Sequence, residues 1–265
     1  SVPSLPVLSF QALIPASWEG STAPPAGLGG LFMRPRDTEV SGPTGYGTTD
    51  FLEMYEFHVD WTTPANSTLT ELPDVVIGEY DCSLCGTGSD WSCMPQPGTT
   101  QALDPIREPL HQPLQYRNWG TYETLVGGFA EDVDGADKAA VRWFELRRTG
   151  GVWSAYQEGV VGGGDSLHRS VTSVAMDGAG GIALGYTRTG SSVPYYPSIL
   201  YAGRRSWDPL GTMPYFDIVA QAGTGSQASY DRWGDYSGIG VDPADDCTFW
   251  YTTEYMLGTS SAPRV

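Results

Sequence analysis

The chain has few charged residues, and positively charged ones are the scarcest. Lys and Arg number 14 against 31 Asp and Glu, which gives a formal charge of −17 over 265 residues. Neutralising phosphates requires clustered basic side chains, so this balance argues against a nucleic-acid partner. No apolar run approaches the roughly 18 residues of a membrane-spanning helix, so no membrane span is expected. Such acidity suits an extracellular protein or a diffuse affinity for cations.

Residues that build long helices are also in short supply, because charged residues make up only 17 % of the chain. Glycine (34), proline (20) and aromatic residues (12 %) are abundant instead. This profile is typical of tight turns that join aromatic and β-branched strands. The length is sufficient for one large all-β domain, and we take residues 1–265 as that domain.

Cysteine is limited to four residues, three of which lie in one Gly/Ser-rich loop. The Cys82-x-x-Cys85 spacing followed by Cys93 could hold zinc, but the loop lacks the pattern of a zinc knuckle. Disulfides formed in an oxidising compartment are the favoured interpretation. We expect a local Cys85–Cys93 bond and a long-range Cys82–Cys247 bond, although sequence alone does not determine the pairing.

The first residues lack the basic segment and apolar core of a signal peptide. Together with the expected disulfides, this start favours a mature secreted, extracellular protein.

Three segments of the chain resemble one another. The first and third share a Trp-Gly-x-Tyr core, and the second resembles the strand that follows this core. They are residues 116–126, 168–177 and 232–242. With Thr124, Ser173 and Gly238 aligned, the segments recur at intervals of about 49 and 65 residues, a period that indicates propeller blades. The sequence therefore predicts an all-β fold of β-propeller type.

Four recognisable blade units follow from this pattern. Their predicted bounds are 46–115, 116–165, 166–230 and 231–265, after a segment 1–45 that holds one strand, Val7–Ile14, and a Pro/Gly-rich loop. The last unit supplies only two strands. A larger propeller of about six or seven blades is the alternative to four. In that case a second polypeptide is expected to complete it.

Several segments of the chain also occur together in one group of known proteins. They include Glu56-Phe-His-Val-Asp-Trp61, Tyr116-Arg-Asn-Trp-Gly120, Val141-Arg-Trp-Phe-Glu-Leu-Arg147 and Asp245-Asp-Cys-Thr-Phe-Trp-Tyr-Thr252. The chain resembles a processed or partial member of the large secreted bacterial proteins of sialidase-like β-propeller type, which are largely uncharacterised. The resemblance implies a propeller fold and a secreted habitat. It brings no established catalytic residues.

An arginine stands near the start of each repeat. Arg117, Arg169 and Arg232, with His168 beside the second, are candidate ligand-binding residues, because guanidinium groups converging on one channel would suit a carboxylate. Sialidases bind a carboxylate with three arginines and use a Tyr–Glu pair and an Asp in catalysis. The candidates for those catalytic roles here are Tyr236, Tyr122, Glu123 and Asp235. The alternative is that each arginine pairs with neighbouring carboxylates and joins adjacent blades.

An acidic segment with Asp132, Asp134 and Asp137 resembles a calcium loop. An EF-hand counted from Asp132 would place Trp143 where the bidentate Glu belongs, and Asp-Gly between two strands is a common hairpin turn. We favour a turn and keep calcium as the weaker alternative; no other cofactor is predicted.

Two hypotheses about function remain open at this point. The first is a secreted binding module for a glycan, a cation or a protein partner. Exposed aromatic rings could provide sugar-stacking surfaces, and Trp18, Trp91 and Trp207 fall in predicted loops. The second is a glycan-active enzyme, either a sialidase-like hydrolase or a polysaccharide lyase, that would hold a carboxylate with the channel arginines.

Overall fold

The architecture is visible in the order in which the strands pair. The computed structural model describes residues 12–41, 47–86, 91–107, 109–260 and 263. Within each sheet, most strands pair antiparallel with the next strand of the chain. Successive sheets pack face to face, as the blades of a propeller do. The predicted all-β propeller is therefore confirmed.

The first blade begins earlier than the sequence predicted. Its strands are β1 (Ile14–Glu19), β2 (Gly30–Arg36), β3 (Phe51–His58), β4 (Thr68–Glu71) and β5 (Val75–Val76). Most of the predicted strand Val7–Ile14 lies outside the described residues. The helices of the described part are α1 (Thr38–Ser41) and a 3₁₀ turn (Pro64–Asn66), and no helix there is long and apolar enough to cross a membrane.

Two four-stranded blades follow. β1 pairs in parallel with the first strand of the second blade, so the first nine strands form one continuous sheet. The second consists of β6 (His111–Asn118), β7 (Glu123–Asp132), β8 (Ala139–Thr149) and β9 (Val152–Val161). The third consists of β10 (His168–Met176), β11 (Ile182–Thr189), β12 (Ser198–Arg204) and β13 (Tyr215–Gln221). The fourth sheet has only β14 (Gly238–Val241) and β15 (Phe249–Thr252) among the described residues.

The first strands of the last three blades lie together near the centre of the molecule. β10 contacts β6, and β14 contacts both of them. The backbone N–H of Thr172 donates to His111 Nδ1 at 2.9 Å, and that of Met176 donates to Gln115 Oε1 at 2.6 Å. These two bonds place β6 and β10 side by side and parallel, as the inner strands of a propeller are.

The interface between the second and third blades is a close-packed apolar layer. Val126 and Trp143 of the second blade pack against Leu184 and Tyr186 of the third, and all four are almost fully buried. Gly128 permits this close approach, because a Cβ there would lie 2.8 Å from the carbonyl oxygen of Arg142 and 3.0 Å from two side chains of β10. Dense packing of this kind stabilises the blade pair.

The predicted register of the repeats is wrong. Thr124 lies on β7, the second strand of its blade, whereas Ser173 and Gly238 lie on the inner strands β10 and β14. The Trp-Gly-x-Tyr core of residues 119–122 forms the turn after the inner strand, while that of residues 233–236 precedes β14. Similar local sequences therefore occupy opposite ends of their blades, and the second blade starts at His111 rather than at 116.

Four strands were not anticipated from the sequence: β2, β4, β6 and β13. β2 contains Pro35 within its ladder and β6 contains Pro113, and proline normally argues against a strand. β4 and β13 are exposed along most of their length, so they lack the apolar alternation that identifies a half-buried strand.

The cysteines divide into one bonded pair and two residues outside any disulfide. The predicted Cys85–Cys93 bond is confirmed. The predicted Cys82–Cys247 bond is not formed, because Cys82 is buried next to Asp37, whose carboxylate accepts its backbone N–H, whereas Cys247 is exposed on the β14–β15 turn.

This arrangement predicts an alkylation pattern. We expect iodoacetamide to label Cys247 alone in the native protein, and both Cys82 and Cys247 in the unfolded, unreduced protein, because alkylation needs access to the thiolate. Labelling of all four cysteines is expected only after reduction. The intact mass of the protein gives the number of labels added at each stage. A native, unreduced protein that takes up no label would contradict the assignment.

Candidate functional site

A groove with a volume of about 740 Å³ lies between the third and fourth blades. We call it the open-blade groove. Its lining residues come from β11, β12, β13, β14, β15 and the β12–β13 loop, and include Ala183, Gly185, Ile199, Tyr201, Gly203, Arg204, Arg205, Trp207, Tyr215, Ile239, Phe249 and Tyr251. The surface is mainly apolar and aromatic, which is typical of ligand sites.

In the described part of the chain, the two strands of the fourth sheet do not cover the whole face of the third blade, and the groove is the uncovered part. In the second blade, the third strand β8 is buried from Ala139 to Leu146 beneath its neighbour. In the third blade, the corresponding strand β12 alternates between buried and partly exposed residues, and Tyr201 is exposed. The two strands of the fourth sheet cover β10 and β11 and leave β12 and β13 open.

The inner wall of the groove is built by close packing of the fourth sheet on β11. Ile239 and Val241 of β14 pack with Ala175, and Phe249 and Tyr251 of β15 lie against the same cluster. The ring of Tyr251 lies directly over Gly185, where a Cβ would fall well inside van der Waals contact with three ring atoms. Glycine at this position therefore lets Tyr251 form the wall.

Aromatic side chains form one end of the groove. Trp207 is 73 % exposed, and Tyr215 is also exposed. The Arg205 guanidinium lies between them, 5.6 Å from the Trp207 ring centre and 5.2 Å from that of Tyr215. Such an exposed group presents flat apolar surfaces to a ligand. Of the three tryptophans expected to lie in loops, Trp207 is the one that lines this groove.

The charged residues of the groove are already engaged by the protein. Asp177 Oδ1 accepts the backbone N–H groups of Ala179 and Gly181, both at 2.8 Å. Arg204 is buried and donates to the carbonyl oxygens of Thr212 and Asp208 at 3.1 and 2.7 Å. Neither is positioned as an acid or a base, since proton transfer needs an available group facing the ligand.

The three candidate arginines bind three separate sets of carboxylates. Arg117 lies at the end of β6 and donates to both oxygens of Asp246, at 2.8 and 2.6 Å, which joins the second and fourth blades. Arg169 lies at the opposite end of its inner strand, only 2 % exposed. It binds Asp165 at 2.8 Å and also Asp217.

Arg232 is the most accessible of the three arginines. Its side chain is 52 % exposed and pairs with Asp235 at 2.5 Å and with Asp104 at 3.3 Å. With Trp91 and Arg107, which stack at 4.1 Å, it lines a separate cavity of about 250 Å³. The three guanidinium groups share no carboxylate partner, so the structure does not bring them together as one ligand site.

The other candidate residues are likewise dispersed. Burial lowers the pKa of His168, whose Nδ1 accepts the Ala139 N–H at 3.4 Å. Tyr236 is 96 % exposed, with its neighbour Asp235 bound to Arg232. Glu123 instead accepts from Tyr116 and Arg148, at 2.5 and 2.9 Å.

Tyr122 stacks on Trp119, with ring centres 5.9 Å apart and planes 12° apart. Both line a narrow cleft of about 70 Å³ between the second and third blades, together with Arg147 and Glu145. Arg147 donates to Glu145 at 2.7 Å, so this charge is also neutralised within the protein.

Sequence reasoning missed three tyrosine–carboxylate pairs with arginine partners. They are Tyr186–Asp217, whose carboxylate also binds Arg169 and Arg188, and two others. One is Tyr116–Glu123, and the other is Tyr55–Glu53, where Tyr55 Oη donates at 2.7 Å and Arg34 and Arg36 bind the same carboxylate. In both tyrosines, burial and the adjacent carboxylate raise the pKa, so the phenol is held protonated. Glu53 and Tyr55 lie two residues apart on the same face of β3, whereas Tyr116 and Glu123 lie on the two strands of one hairpin. The i, i+2 spacing on β3 could have indicated the first of these pairs.

The acidic loop has the geometry of a turn. Asp132 Oδ1 accepts the N–H groups of Asp134 and Gly135, and its Oδ2 accepts that of Asp137 at 2.8 Å. Asp134 pairs with Lys138 at 3.2 Å. The calcium alternative stays a prediction.

A second acidic group, formed by Asp37, Glu39 and Asp50, places three carboxylate oxygens within 4.8 Å of one another. Burial raises the pKa of Asp37 and of Asp50, and backbone N–H groups of Cys82 and Tyr80 donate to them. Asp37 and Asp50 therefore anchor the segment that follows β5 to the first blade.

Comparison with known proteins gives no family for this chain. No family model matches it, and no curated protein matches it. Among solved structures, an alpha-L-arabinanase of Penicillium chrysogenum complexed with arabinobiose is 12 % identical, covers 85 % of this chain and has a TM-score of 0.41. A mannose phosphorylase from Leishmania mexicana in complex with phosphate ion is 11 % identical, covers 92 % of this chain and has a TM-score of 0.26.

This chain spans 55 % of the arabinanase chain and 67 % of the phosphorylase chain. Similarity at these TM-scores defines no shared site, so the fold assignment rests on the blades themselves. The chain is a β-propeller with an open groove beside a sheet that has two strands among the described residues.

Proposed function

We propose that this protein is a non-catalytic binding module and that the open-blade groove is its ligand-binding surface. The observation that carries the proposal is the groove itself, about 740 Å³ in volume and lined mainly by apolar and aromatic side chains. A concave site of this volume with a mainly apolar and aromatic lining has the usual form of a ligand-binding pocket.

The charges around the groove favour binding over catalysis. Asp177 and Arg204 are engaged by backbone groups, and Arg205 lies between two aromatic rings. A glycan-active enzyme needs a pair of positioned carboxylates, or a tyrosine with a carboxylate, facing the substrate. The tyrosine–carboxylate pairs of the described residues are buried away from the groove, so we do not favour the enzyme hypothesis.

We also propose that the protein works outside the cell. The Cys85–Cys93 disulfide and the charge of −17 support this part of the proposal, because disulfides persist in oxidising compartments. The resemblance to sialidase-like propeller proteins agrees with an extracellular location and identifies no site residues.

The proposed function is tested by a ligand screen, followed by binding measurements on variants of groove residues. Oligosaccharide and peptide arrays are probed with the purified chain, and bound candidates are titrated while tryptophan fluorescence is measured. We expect Trp207→Ala to weaken binding at least about tenfold, as for removal of an aromatic side chain that stacks on a ligand.

Trp61→Ala is the matched control, because Trp61 is 87 % exposed on the first blade, remote from the groove. Its binding is expected to equal that of the unmodified protein. Turnover of a bound oligosaccharide, or binding that Trp207→Ala leaves unchanged, would overturn the proposed function.

A further inference from the structure

A buried arginine of the third blade has no carboxylate partner among the described residues. Arg204, the last residue of β12, is only 4 % exposed, and its Nε and Nη2 donate to backbone carbonyl oxygens of the loop that follows. Other buried arginines of the protein bind carboxylates, namely Arg34, Arg36, Arg117, Arg142 and Arg169. A buried charge without a counter-charge is costly, so an anion is the expected partner of Arg204.

Arg204 lies at the interface between the second and third blades. Its guanidinium is 5.9 Å from the ring centre of Trp143 in the second blade. It lines the narrow cleft between these blades, which we call the arginine cleft; the second-blade residues of its lining include Tyr122, Glu145, Arg147, Tyr156 and Gln157. Both blades that border the cleft have four strands, so the cleft does not depend on the extent of the fourth sheet.

Arg147 is the second guanidinium of the arginine cleft. Its Nε donates to Glu145 at 2.7 Å, and its two terminal nitrogens make no hydrogen bond in the described part of the chain. The group lies between the rings of Tyr122 and Tyr156, 4.7 and 3.3 Å from their centres. Glu145 therefore balances the charge of Arg147 and leaves that of Arg204 uncompensated.

A β-bulge brings Tyr156 to the arginine cleft. The β8–β9 ladder pairs Glu145 with Gln157 and Leu146 with Ala155, so Tyr156 is the extra residue between two pairs. Consecutive residues of a regular strand point to opposite faces, yet Tyr156 and Gln157 both line the cleft. Bulges redirect side chains in this way and are frequent next to active sites.

The size of the arginine cleft limits what can enter it. Its volume of about 70 Å³ is sufficient for a small charged group. Pockets that enclose a whole ligand are larger, roughly 300–1,000 Å³. A carboxylate is planar and matches the donor fork of a guanidinium, so it fits both the space and the two arginines. The rest of such a ligand would lie outside the cleft against Tyr156, which is 40 % exposed.

The surroundings favour a sugar over a peptide as the carrier of this carboxylate. Aromatic faces such as that of Tyr156 bury the apolar C–H surface of a sugar ring. A peptide would bring backbone groups that need partners. The backbone N–H groups of Ala179 and Gly180, on the opposite wall of the cleft, already donate to Asp177 at 2.8 and 3.1 Å.

We propose that the arginine cleft binds the carboxylate of an acidic sugar residue. Arg147 and Arg204 donate to the carboxylate, and Tyr156 packs against the sugar ring. The cleft adjoins the open-blade groove at Arg204, but the inference does not require a ligand in the groove.

The probes are trimers of galacturonate and of mannuronate, each compared with its methyl ester, which keeps the sugar and removes the charge. Binding is measured by titration calorimetry at low and at high salt. We expect an acidic trimer to bind, and its ester to bind at least about tenfold more weakly, because charge-assisted hydrogen bonds are lost. Salt should weaken the binding of the acid more than that of the ester.

Variants of the cleft test the assignment to these residues. Arg147→Gln is expected to weaken binding of the acidic trimer at least about tenfold. Arg147→Lys should also weaken it, because lysine keeps the charge and loses the planar fork. Tyr156→Ala should weaken it through the lost contact with the sugar ring. Urea denaturation of each variant confirms that the fold is retained.

Arg232→Gln is the matched control, because it removes the same charge from a side chain that is 52 % exposed and lines a different cavity. Its binding of the acidic trimer is expected to equal that of the unmodified protein. Equal losses in Arg147→Gln and Arg232→Gln would show that overall charge alone attracts the trimer, and would overturn the inference.

The remaining outcomes separate this inference from the proposed function. Equal binding of acid and ester, or no binding of either acidic trimer, would overturn it. A trimer of sulfated galactose that binds more tightly than both acids, with the same dependence on Arg147, would overturn the carboxylate and assign the cleft to a sulfate. Binding of the acid that Trp207→Ala abolishes and Arg147→Gln leaves unchanged would place the sugar in the open-blade groove, which supports the proposed function and overturns this inference.

Discussion

Replacing Arg169 by leucine is expected to lower the free energy of unfolding by about 3 kcal/mol, in the range found when one member of a buried ion pair is removed. Arg169 is only 2 % exposed and binds both Asp165 and Asp217. The variant leaves the Asp217 carboxylate beside Tyr186 incompletely compensated, because its remaining cation is Arg188 at 3.4 Å. Urea denaturation at neutral pH measures the loss.

Arg232→Leu is the matched control, because Arg232 was an equal candidate for ligand binding but is 52 % exposed. Its loss is expected to stay below about 1 kcal/mol, as for other solvent-exposed ion pairs. Adding Asp217→Asn to Arg169→Leu should restore part of the stability, because the uncompensated charge is then removed. Asparagine tolerates the positive φ of 54° at this position. Equal losses in the two single variants would contradict the assignment.

The same ion pairs predict a pH dependence. Hydrogen bonds from Arg169 lower the pKa of Asp165 to about 2, and its guanidinium also lowers the pKa of Asp217 against the effect of burial. A carboxyl whose pKa is lower in the folded state contributes stability above its unfolded pKa of about 4. That contribution is lost as the pH falls from about 4 toward 2. Arg169→Leu should therefore lose less stability over this interval than the unmodified protein does.

Gly185→Ala is expected to destabilise the protein by about 2 kcal/mol and to open the inner wall of the groove. A Cβ at Gly185 would overlap three ring atoms of Tyr251. Tyr251 must then leave β11, and the two-stranded fourth sheet is held to the third blade by few other apolar contacts, chiefly those of Ile239 and Val241. Loss of stability is measured by denaturation, and displacement of β15 by faster exchange of the Gly240 amide, which pairs with Trp250 in the β14–β15 ladder.

The control lies on the neighbouring strand. Gly203→Ala adds a methyl group whose nearest neighbour is 3.5 Å away, so its effect on stability is expected to stay within about 0.5 kcal/mol. A comparable loss for both alanine variants would show that glycine is needed on these strands for a reason other than contact with Tyr251.

The sequence alone determined the class of fold and much of its strand content. Alternation with a period of two identified β3, and apolar segments between turns identified β7, β8 and β11. The short Cys85–Cys93 spacing indicated the local disulfide, and the sequence already predicted only two strands after residue 231. These features are local, so composition and spacing are enough to reveal them.

The tertiary structure decided which residues come together. Arg117 and Arg169 occupy similar sequence contexts but lie at opposite ends of parallel inner strands, so no shared arginine site forms. The open-blade groove depends on Gly185, Tyr201 and Tyr251, which are distant in sequence and meet only when two blades pack. No local pattern encodes that contact, because it depends on how many strands each blade has and on which face its neighbour leaves uncovered.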